Sequence, residues 1–207
     1  IDYRRTEFIK RSGGLWMYIN GRLTYITGKH YLALQWSPMT GGGYPDFRER
    51  DMLWWWAWQA CLEDPFCYGM VYLKHRRDGF SNRAVVDMLD AVTSQYAARG
   101  VITSSLDKDH AIQEIWVPIL LPLLDAWPPF FVPETTSNEK PVGGVIDFDE
   151  PPRRGKSRVK RRRKGFGSRI AVKGASRKQS KADGGKIIRY FQDEPGKDKL
   201  HDIRKGW

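Results

Sequence analysis

The chain has 207 residues, of which 41% are hydrophobic, and a formal net charge of +11 at pH 7. It is long enough to bury a core, and it has neither the run of about 18 apolar residues of a membrane-spanning helix nor the apolar N-terminal segment of a signal peptide. Two cysteines are too few for a disulfide framework, and four scattered histidines argue against a structural zinc site. We therefore expect an intracellular protein.

The positive charge is concentrated in the last quarter of the chain. Residues 1–150 carry 15 Lys and Arg against 19 Asp and Glu, a net charge of −4, whereas residues 151–207 carry 20 against 5, a net charge of +15. Such a segment is typical of a protein that binds a partner with many phosphates. A solvated basic segment without a partner is the alternative.

Two elements are predicted before the first basic loop. Residues 14–36 contain aromatic and β-branched residues on both sides of Asn20-Gly21, a strong signal for a β-hairpin. Residues 47–62 are expected to form a helix. Its four tryptophans cannot share one face, which favours burial on two sides or packing against a part of the protein outside this chain.

The middle of the chain alternates strands and helices. Residues 69–73 form an apolar run that predicts a buried strand, and residues 82–96 have the apolar spacing of a helix. A second strand is expected at 101–105, followed after Asp107 by a helix that is bent or ended by two prolines. This order predicts an α/β fold with a mainly parallel sheet.

The remaining elements are short. Residues 128–144 are rich in Pro and Gly and indicate a connection. Three further strands are expected at 145–148, 168–172 and 187–191.

The segment 74–81 has most of the groups of a phosphate-binding loop. The standard pattern GxxxxGK[ST] provides amides at a helix N-terminus, a glycine for close approach, a lysine for the phosphates and a hydroxyl for magnesium. Here Gly79 takes the second glycine position, Phe80 the lysine position and Ser81 the hydroxyl position. Lys74 lies at the opposite end of the loop. The segment therefore departs from the standard pattern, and a basic surface loop is the alternative.

Several stretches of the sequence carry a family resemblance. They are INGRLTYITGKHYLALQW, GYPDFRERD, CYGMVYLKHRRDGFSNRA, ITSSLDKDHA, EPPRRGK and KIIRYFQDEPGK. On these stretches the chain resembles the large subunit of the phage terminase, the ATPase that packages viral DNA, and it is most similar to terminases of tailed phages of gut Bacteroidetes, including the crAss-like group. KHRRDGFS also resembles the deviant phosphate loop of lambda-type terminases, in which the Lys comes first and an aromatic residue precedes the Ser.

The resemblance implies a role for the loop residues, with ATP and Mg²⁺ as cofactors. Lys74 would contact the phosphates, Gly79 would allow their close approach, and Ser81 would hold the magnesium. Arg77, with Arg76 as a second candidate, would act on the γ-phosphate like an arginine finger. The implied ATP-binding residues of the loop are Lys74, His75, Arg76, Arg77, Asp78, Gly79, Phe80 and Ser81.

ATP hydrolysis also requires an Asp near the magnesium and a Glu that activates water, at the end of a buried strand. VIDFDE offers Asp149 with Glu150, and IIRYFQDE offers Asp193 with Glu194. Spacing along the chain does not choose between them. The resemblance favours Asp193 as the metal ligand and Glu194 as the catalytic residue, because family members have an Asp-Glu pair followed by a small residue and Gly-Lys there.

Two further binding regions are expected. The resemblance implies that Tyr31 stacks on the adenine and that Gln35 bonds its edge, with core packing as the alternative for Tyr31. The basic run is expected to bind duplex DNA through its phosphates, without sequence selectivity and with strong salt dependence. The cations of this run are Arg153, Arg154, Lys156, Arg158, Lys160, Arg161, Arg162, Arg163 and Lys164.

The resemblance finally implies an architecture and an assembly. It implies a RecA-like P-loop NTPase core at residues 69–207, with a basic insertion at about 151–186, preceded by a hairpin and aromatic-helix region at 1–68. The core is expected to be truncated at its C-terminus and to lack the family's nuclease domain.

The implied partners are double-stranded viral DNA, the portal protein and the small terminase subunit, in a homo-oligomeric ring on the procapsid, in the host cytoplasm and without a membrane. The alternatives are a helicase-like nucleic-acid ATPase and a non-enzymatic basic DNA-binding module with a degenerate loop.

Overall fold

The computed structural model describes residues 2–73, 78–104, 107–136, 141–149, 165–174 and 187–193. The elements in chain order are α1 (Tyr3–Gly13), β1 (Leu15–Ile19), β2 (Arg22–Ile26), α2 (Gly28–Trp36), α3 (Glu49–Glu63), α4 (Phe80–Ser94), β3 (Arg99–Ser104), α5 (Lys108–Ala111), a π-helical segment (Ile112–Leu120), α6 (Leu121–Ala126), β4 (Val145–Phe148), β5 (Ser168–Gly174) and β6 (Ile187–Asp193). The chain divides into two compact units, Ile1–Val86 and Asp87–Trp207. The functional domains expected at 1–68 and 69–207 stay a prediction.

The predicted hairpin is confirmed in the first unit. Strands β1 and β2 pair antiparallel, and Ile19 lies opposite Arg22 across the turn. Asn20 and Gly21 have φ angles of 52° and 76°. A two-residue turn with both φ values positive has the twist that antiparallel strands require, and Asn-Gly adopts it at low cost.

The hairpin ends earlier than predicted, because residues 28–36 form helix α2. The Thr27 hydroxyl caps this helix by accepting a hydrogen bond from the His30 amide at 3.2 Å. An ideal Cβ on Gly28 would lie 1.9 Å from the carbonyl oxygen of Arg11, so helix α2 can begin this close to α1 only with glycine there. The aromatic residues of this segment favour a strand, but the Thr27 cap and the close packing on α1 stabilise a helix there.

Helix α3 confirms the helix predicted at 47–62. Trp54 and Trp55 are buried, with exposed fractions of 7% and 1%, whereas Trp56 is 39% exposed and donates from its indole N–H to the Tyr25 carbonyl at 3.2 Å. The tryptophans therefore lie on different sides of the helix, as their spacing predicted.

The strand predicted at 69–73 is wrong. Residues 69–73 have no regular secondary structure, and Val71 and Leu73 are 86% and 92% exposed. An apolar run forms a strand only where a neighbouring strand supplies hydrogen bonds. Among the described residues, no strand pairs with this segment.

The second unit contains that sheet, in the order β4-β5-β3-β6. Strand β3 pairs parallel with both β5 and β6, whereas β4 pairs antiparallel with β5. The predicted mixed α/β class with a mainly parallel sheet flanked by helices is thus confirmed, and the antiparallel edge strand is the departure from it. The strands predicted at 101–105, 145–148, 168–172 and 187–191 are all present.

Helix α4, predicted at 82–96, packs on β3 through its C-terminal half. An ideal Cβ on Gly100 would lie 2.1 Å from the Met88 sulfur and 3.3 Å from Val92, so the absent side chain leaves room for the helix. Arg189, a charge inside β6, forms an ion pair with Asp87 of α4 at 2.9 Å. A charged residue thus fits a half-buried strand because the facing helix supplies its counter-ion.

The helical run after β3 passes both prolines. Asp107 caps α5 by accepting from the His110 amide at 2.7 Å, and helical structure then continues from Lys108 to Ala126. Pro118 lies in the π-helical segment and Pro122 in the first turn of α6. Neither proline ends the helix, because the wider π turn and a helix start are positions where a missing amide N–H is tolerated. Within the described ranges, no helix has the length and apolar character needed to cross a membrane.

Candidate functional site

The C-terminal end of the predicted phosphate loop forms the start of helix α4. Gly79 is exposed with a φ of 74°, α4 begins at the next residue, and Ser81 lies in its first turn. Among the described residues, an ideal Cβ on Gly79 would meet only the Arg48 guanidinium, at 3.8 Å, which is an ordinary van der Waals distance. A left-handed glycine before a helix N-terminus presents backbone amides to an anion. Lys74, His75, Arg76 and Arg77 lie outside the described residues.

Asp78, the residue before Gly79, is buried in a network of ion pairs. Its carboxylate contacts the guanidinium of Arg83 and that of Arg50, the latter at 2.9 Å, and accepts from the Tyr72 hydroxyl at 3.2 Å. Burial alone would raise the pKa of Asp78, but the hydrogen bond and charge of Arg83 and the charge of Arg50 lower it below its usual range. Asp78 is thus held as a carboxylate, and its oxygens are turned to cations.

Arg83 is the centre of this network. It is 5% exposed, and its second guanidinium nitrogen contacts Asp51 of α3, which Arg48 also contacts at 2.6 Å. The guanidinium lies over the rings of Trp54, Tyr72 and Phe80, at 5.2, 5.6 and 5.9 Å from their centroids. Two carboxylates and three aromatic faces therefore hold one buried cation.

Phe80, at the lysine position of the standard loop, belongs to this aromatic cluster. Its ring stacks on Tyr72 at 5.1 Å and meets Trp54 edge-on at 5.7 Å. Its side chain anchors the beginning of α4.

The same unit buries a histidine. His30 is 1% exposed and stacks between Phe47 and Trp55, with centroid distances of 5.7 and 6.3 Å. Burial and then the charge of Arg83 lower the pKa of His30 to about 4. The imidazole is therefore neutral at pH 7.

The carboxyl edge of the parallel strands holds Asp193. In the register of the sheet, Ser104 ends β3 opposite Asp193 of β6 on one side and Gly174 of β5 on the other. Ligands of open α/β sheets bind beyond the carboxyl ends of the strands. Asp193 therefore occupies the edge at which a metal ligand is expected.

Asp149 lies at the opposite edge. It follows β4, which runs antiparallel to β5, and Phe148 pairs with Ser168 at the beginning of β5. Asp149 is buried, with an exposed fraction of 5%. The two acids left open by the sequence are thus separated by the full length of the sheet strands, since one follows an antiparallel strand. Their partners Glu150 and Glu194 lie outside the described residues.

The two residues expected at the adenine lie on helix α2, in different surroundings. Tyr31 is 8% exposed, and its hydroxyl donates to Glu7, which also pairs with Lys10 at 2.8 Å. Burial alone would raise the pKa of Glu7, but the hydrogen bonds of Lys10 and Tyr31 lower it; burial and then Glu7 raise the pKa of Tyr31. Gln35 is exposed. Tyr31 has a structural partner, and adenine binding stays a prediction for both.

The basic run, from Arg153 to Lys164, lies outside the described residues. In the parts of the chain that the structure does describe, no three His, Cys, Asp or Glu side chains gather to hold a metal ion.

Sequence reasoning missed the network that fixes Asp78. Asp51 was expected only as part of a helix, and Arg83 only as part of the helix after the loop. The residues are 32 positions apart, and no local pattern joins them. A usable signal is the helical spacing, which places Trp54 and Trp55 one turn after Asp51, and Phe80 and Val86 one turn before and after Arg83.

Comparisons with known proteins leave the family open. No protein-family model, no curated protein and no solved structure matches the chain. The terminase resemblance therefore rests on the quoted sequence stretches alone.

Proposed function

We propose that this chain is the ATPase part of a large terminase subunit, which uses ATP hydrolysis to move viral DNA into a procapsid. The observation that carries the proposal is the exposed, left-handed Gly79 directly before the N-terminus of α4. This geometry suits a phosphate group, because the first amides of a helix have no partners within the helix and its dipole favours an anion.

The residues around this point have the chemistry that the proposal needs. Ser81, in the first turn of α4, has the hydroxyl that such loops use for Mg²⁺. Lys74, Arg76 and Arg77 precede it in the sequence and supply the positive charge that a triphosphate requires. In the proposal, Lys74 contacts the phosphates and one of the two arginines acts on the γ-phosphate.

The position of Asp193 supports the choice of acids. It ends a parallel strand at the carboxyl edge of the sheet, whereas Asp149 follows an antiparallel strand at the other edge. The proposal therefore assigns the metal to Asp193 and the activation of water to Glu194, with Glu150 as the alternative base.

A pair of matched variants tests this assignment. Glu194→Gln in the full-length protein is expected to abolish ATP hydrolysis while Mg-ATP binding persists, because the amide cannot accept the proton of the attacking water. Glu150→Gln makes the same chemical change after β4 and is expected to leave hydrolysis intact. The reverse result, loss only in Glu150→Gln, would transfer the role to Glu150.

The basic run supports the DNA part of the proposal. Nine cations between residues 153 and 164 can neutralise several phosphates without reading sequence, as a motor on viral DNA requires. Reversal of Arg161, Arg162 and Arg163 to Glu is expected to lower the slope of log affinity against log salt by about three, at roughly 0.9 for each lost contact. The matched control reverses Arg177, Lys178 and Lys181. A slope in the variant at 161–163 that is unchanged from the wild type would remove the run from the DNA-binding surface.

Two observations favour a second candidate, a basic nucleic-acid-binding module that does not hydrolyse ATP. The loop lacks a strand before it, and Phe80 takes the usual place of lysine with its ring stacked on Tyr72. A degenerate loop of this kind would hold no nucleotide. Equilibrium binding of Mg-ATP separates the two candidates, since only the motor requires it.

A further inference from the structure

The end of the candidate phosphate loop is tied to a helix that is distant in sequence. Asp78, immediately before Gly79, contacts Arg83 and Arg50, and Arg83 in turn contacts Asp51. Arg50 and Asp51 belong to the first turn of α3. The cluster thus joins the loop end, α3 and the first turns of α4 through alternating charges.

The members of the network nearest to the loop end are buried. The side chains of Asp78 and Arg83 are 4% and 6% exposed, and that of Asp51 is 10% exposed, whereas the outer cations Arg48 and Arg50 are about half exposed. Buried charges hold a fixed geometry, because losing a partner would leave a charge without solvent. The backbone of Asp78 and Gly79 therefore has little freedom while the network is intact.

The identity of Asp78 also needs an explanation. A carboxylate beside a phosphate site repels the ligand, so an acid at this position weakens binding unless its charge is compensated. Here the oxygens of Asp78 face Arg83, Arg50 and the Tyr72 hydroxyl. The charge of Asp78 is therefore compensated by Arg83 and Arg50 within the protein.

We propose that Arg83, together with Asp51 and Asp78, is a positioning device for the phosphate loop, which holds Gly79 left-handed and the N-terminus of α4 open to the phosphates without touching the ligand. This inference rests on the proposed function of the loop. It assigns Asp78 to the support of the loop, in place of the contact with nucleotide that the resemblance implies, and it gives Asp51 a role that no motif indicates.

Asp51→Asn is the most direct test, with Glu49→Gln as the matched control. Both remove one negative charge from the first turn of α3, but Glu49 is exposed and Asp51 holds Arg83. If Asp51 acted only through its charge, its removal would strengthen the binding of an anion. The positioning role predicts the opposite sign, a dissociation constant for Mg-ATP raised at least about fivefold, with Glu49→Gln within about twofold of the wild type.

Two further readouts keep the test decisive. Melting temperatures identify variants that fail to fold. Should Asp51→Asn be one of them, Tyr72→Phe replaces it, since it removes only the hydroxyl that donates to Asp78. Tyr72→Phe is expected to weaken binding about fivefold, outside the twofold range allowed to Glu49→Gln. Asp51→Glu, which keeps the charge, is expected to recover affinity in part. Folded Asp51→Asn with wild-type affinity, or with tighter binding, would overturn the positioning role and leave the proposed function standing.

A separate measurement covers the case in which the wild type binds no nucleotide. Trypsin cleaves after Lys74, Arg76 and Arg77, and the rate of these cuts reports how firmly the loop end is held, with no ligand present. The positioning role predicts faster cleavage in Asp51→Asn than in Glu49→Gln. Faster cleavage without nucleotide binding in the wild type would sustain the network and reject the proposed function, whereas equal cleavage rates would reject the network.

Discussion

The two units of the chain differ in how many ionisable side chains they bury in connected networks. The interior of the first unit contains ionisable groups, among them Glu7, His30, Asp51 and Arg83. The interior of the second unit is mainly apolar, although it buries Asp149 and also Asp87, which pairs with Arg189 of β6. Its pair Arg169–Asp147 lies in a more exposed position, with side chains 45% and 29% exposed. Burial of an apolar side chain stabilises the fold without a specific partner. A buried charge is stable only when its partner is in place.

This difference suggests different roles for the sheet and for the charge network. A sheet tolerates repacking, because hydrophobic contacts are not directional. A network of charges holds a small number of atoms in one arrangement, which suits a loop that must meet a ligand. The candidate loop end at Asp78–Gly79 belongs to the first unit, beside its network of buried charges. The comparison can be tested by substitutions matched across the two units.

The largest expected effect comes from glycines that make room for close packing. An ideal Cβ on Gly28 would lie 1.9 Å from a backbone carbonyl of Arg11, whereas one on Gly100 would meet the sulfur of Met88, which can rotate away. Gly28→Ala is expected to lower the free energy of unfolding by about 3 kcal/mol, and Gly100→Ala by about 1 kcal/mol. Urea unfolding measures both, and a larger loss for Gly100→Ala would contradict the packing described for the two units.

Removal of one ion-pair partner should cost most in the first unit. Asp78→Asn leaves the buried guanidinium of Arg83 with one carboxylate, so we expect a loss of about 2–3 kcal/mol. Asp147→Asn breaks an exposed pair with Arg169 and is expected to cost less than about 1 kcal/mol. Denaturant midpoints compare the two variants. Similar costs would show that the network is not held as a buried unit.

The elements that could be predicted from the sequence are those that local signals specify, and the failed strand and the missed helix lie in the first unit. The hairpin could be predicted because Asn20-Gly21 is a local signal, and helix α4 because its apolar spacing is regular. The strand expected at 69–73 failed, because a strand depends on partners that a short apolar run does not reveal. Helix α2 was missed since Thr27 and Gly28 act through a cap and a contact with α1.

The candidate site shows the same limit. Gly79 and Ser81 could be proposed from the loop pattern, and Asp193 from the resemblance. The partners of Asp78 could not, because Asp51 and Arg83 meet only after α3 and α4 have packed. The antiparallel course of β4, which sets Asp149 apart from Asp193, is equally a property of the folded sheet.

The buried His30 predicts an effect that appears only at acidic pH. Its pKa is about 4 in the folded protein against an ordinary value of 6.5. Between these two pH values, His30 is protonated in the unfolded chain and neutral in the folded protein. The stability contributed by neutral His30 is complete above pH 6.5 and is lost as the pH falls towards 4, by up to about 3 kcal/mol.

Substitution of His30 tests this. His30→Phe keeps an aromatic ring between Phe47 and Trp55 and is expected to remove that part of the pH dependence between pH 6.5 and 4. His110→Phe, on α5 of the second unit, is the control. Unfolding curves at several pH values measure the slope. An unchanged slope in His30→Phe would show that His30 is protonated in the folded protein.

The central claim is that a nucleotide phosphate binds where Gly79 precedes α4, and two glycines allow it to be isolated. Gly79 and Gly21 have φ angles of 74° and 76°, and both are exposed. Among the described residues, an ideal Cβ on either glycine meets nothing closer than 3.8 Å. Alanine therefore brings similar backbone strain at both sites, about 1 kcal/mol.

The measurement is the equilibrium affinity of the full-length protein for Mg-ATP in the wild type, Gly79→Ala and Gly21→Ala. We expect Gly79→Ala to weaken binding about tenfold or more, because a methyl group takes the place of the approaching phosphate, and Gly21→Ala to stay within about twofold of the wild type. Equal affinities in all three proteins, or no binding by the wild type, would contradict the claim.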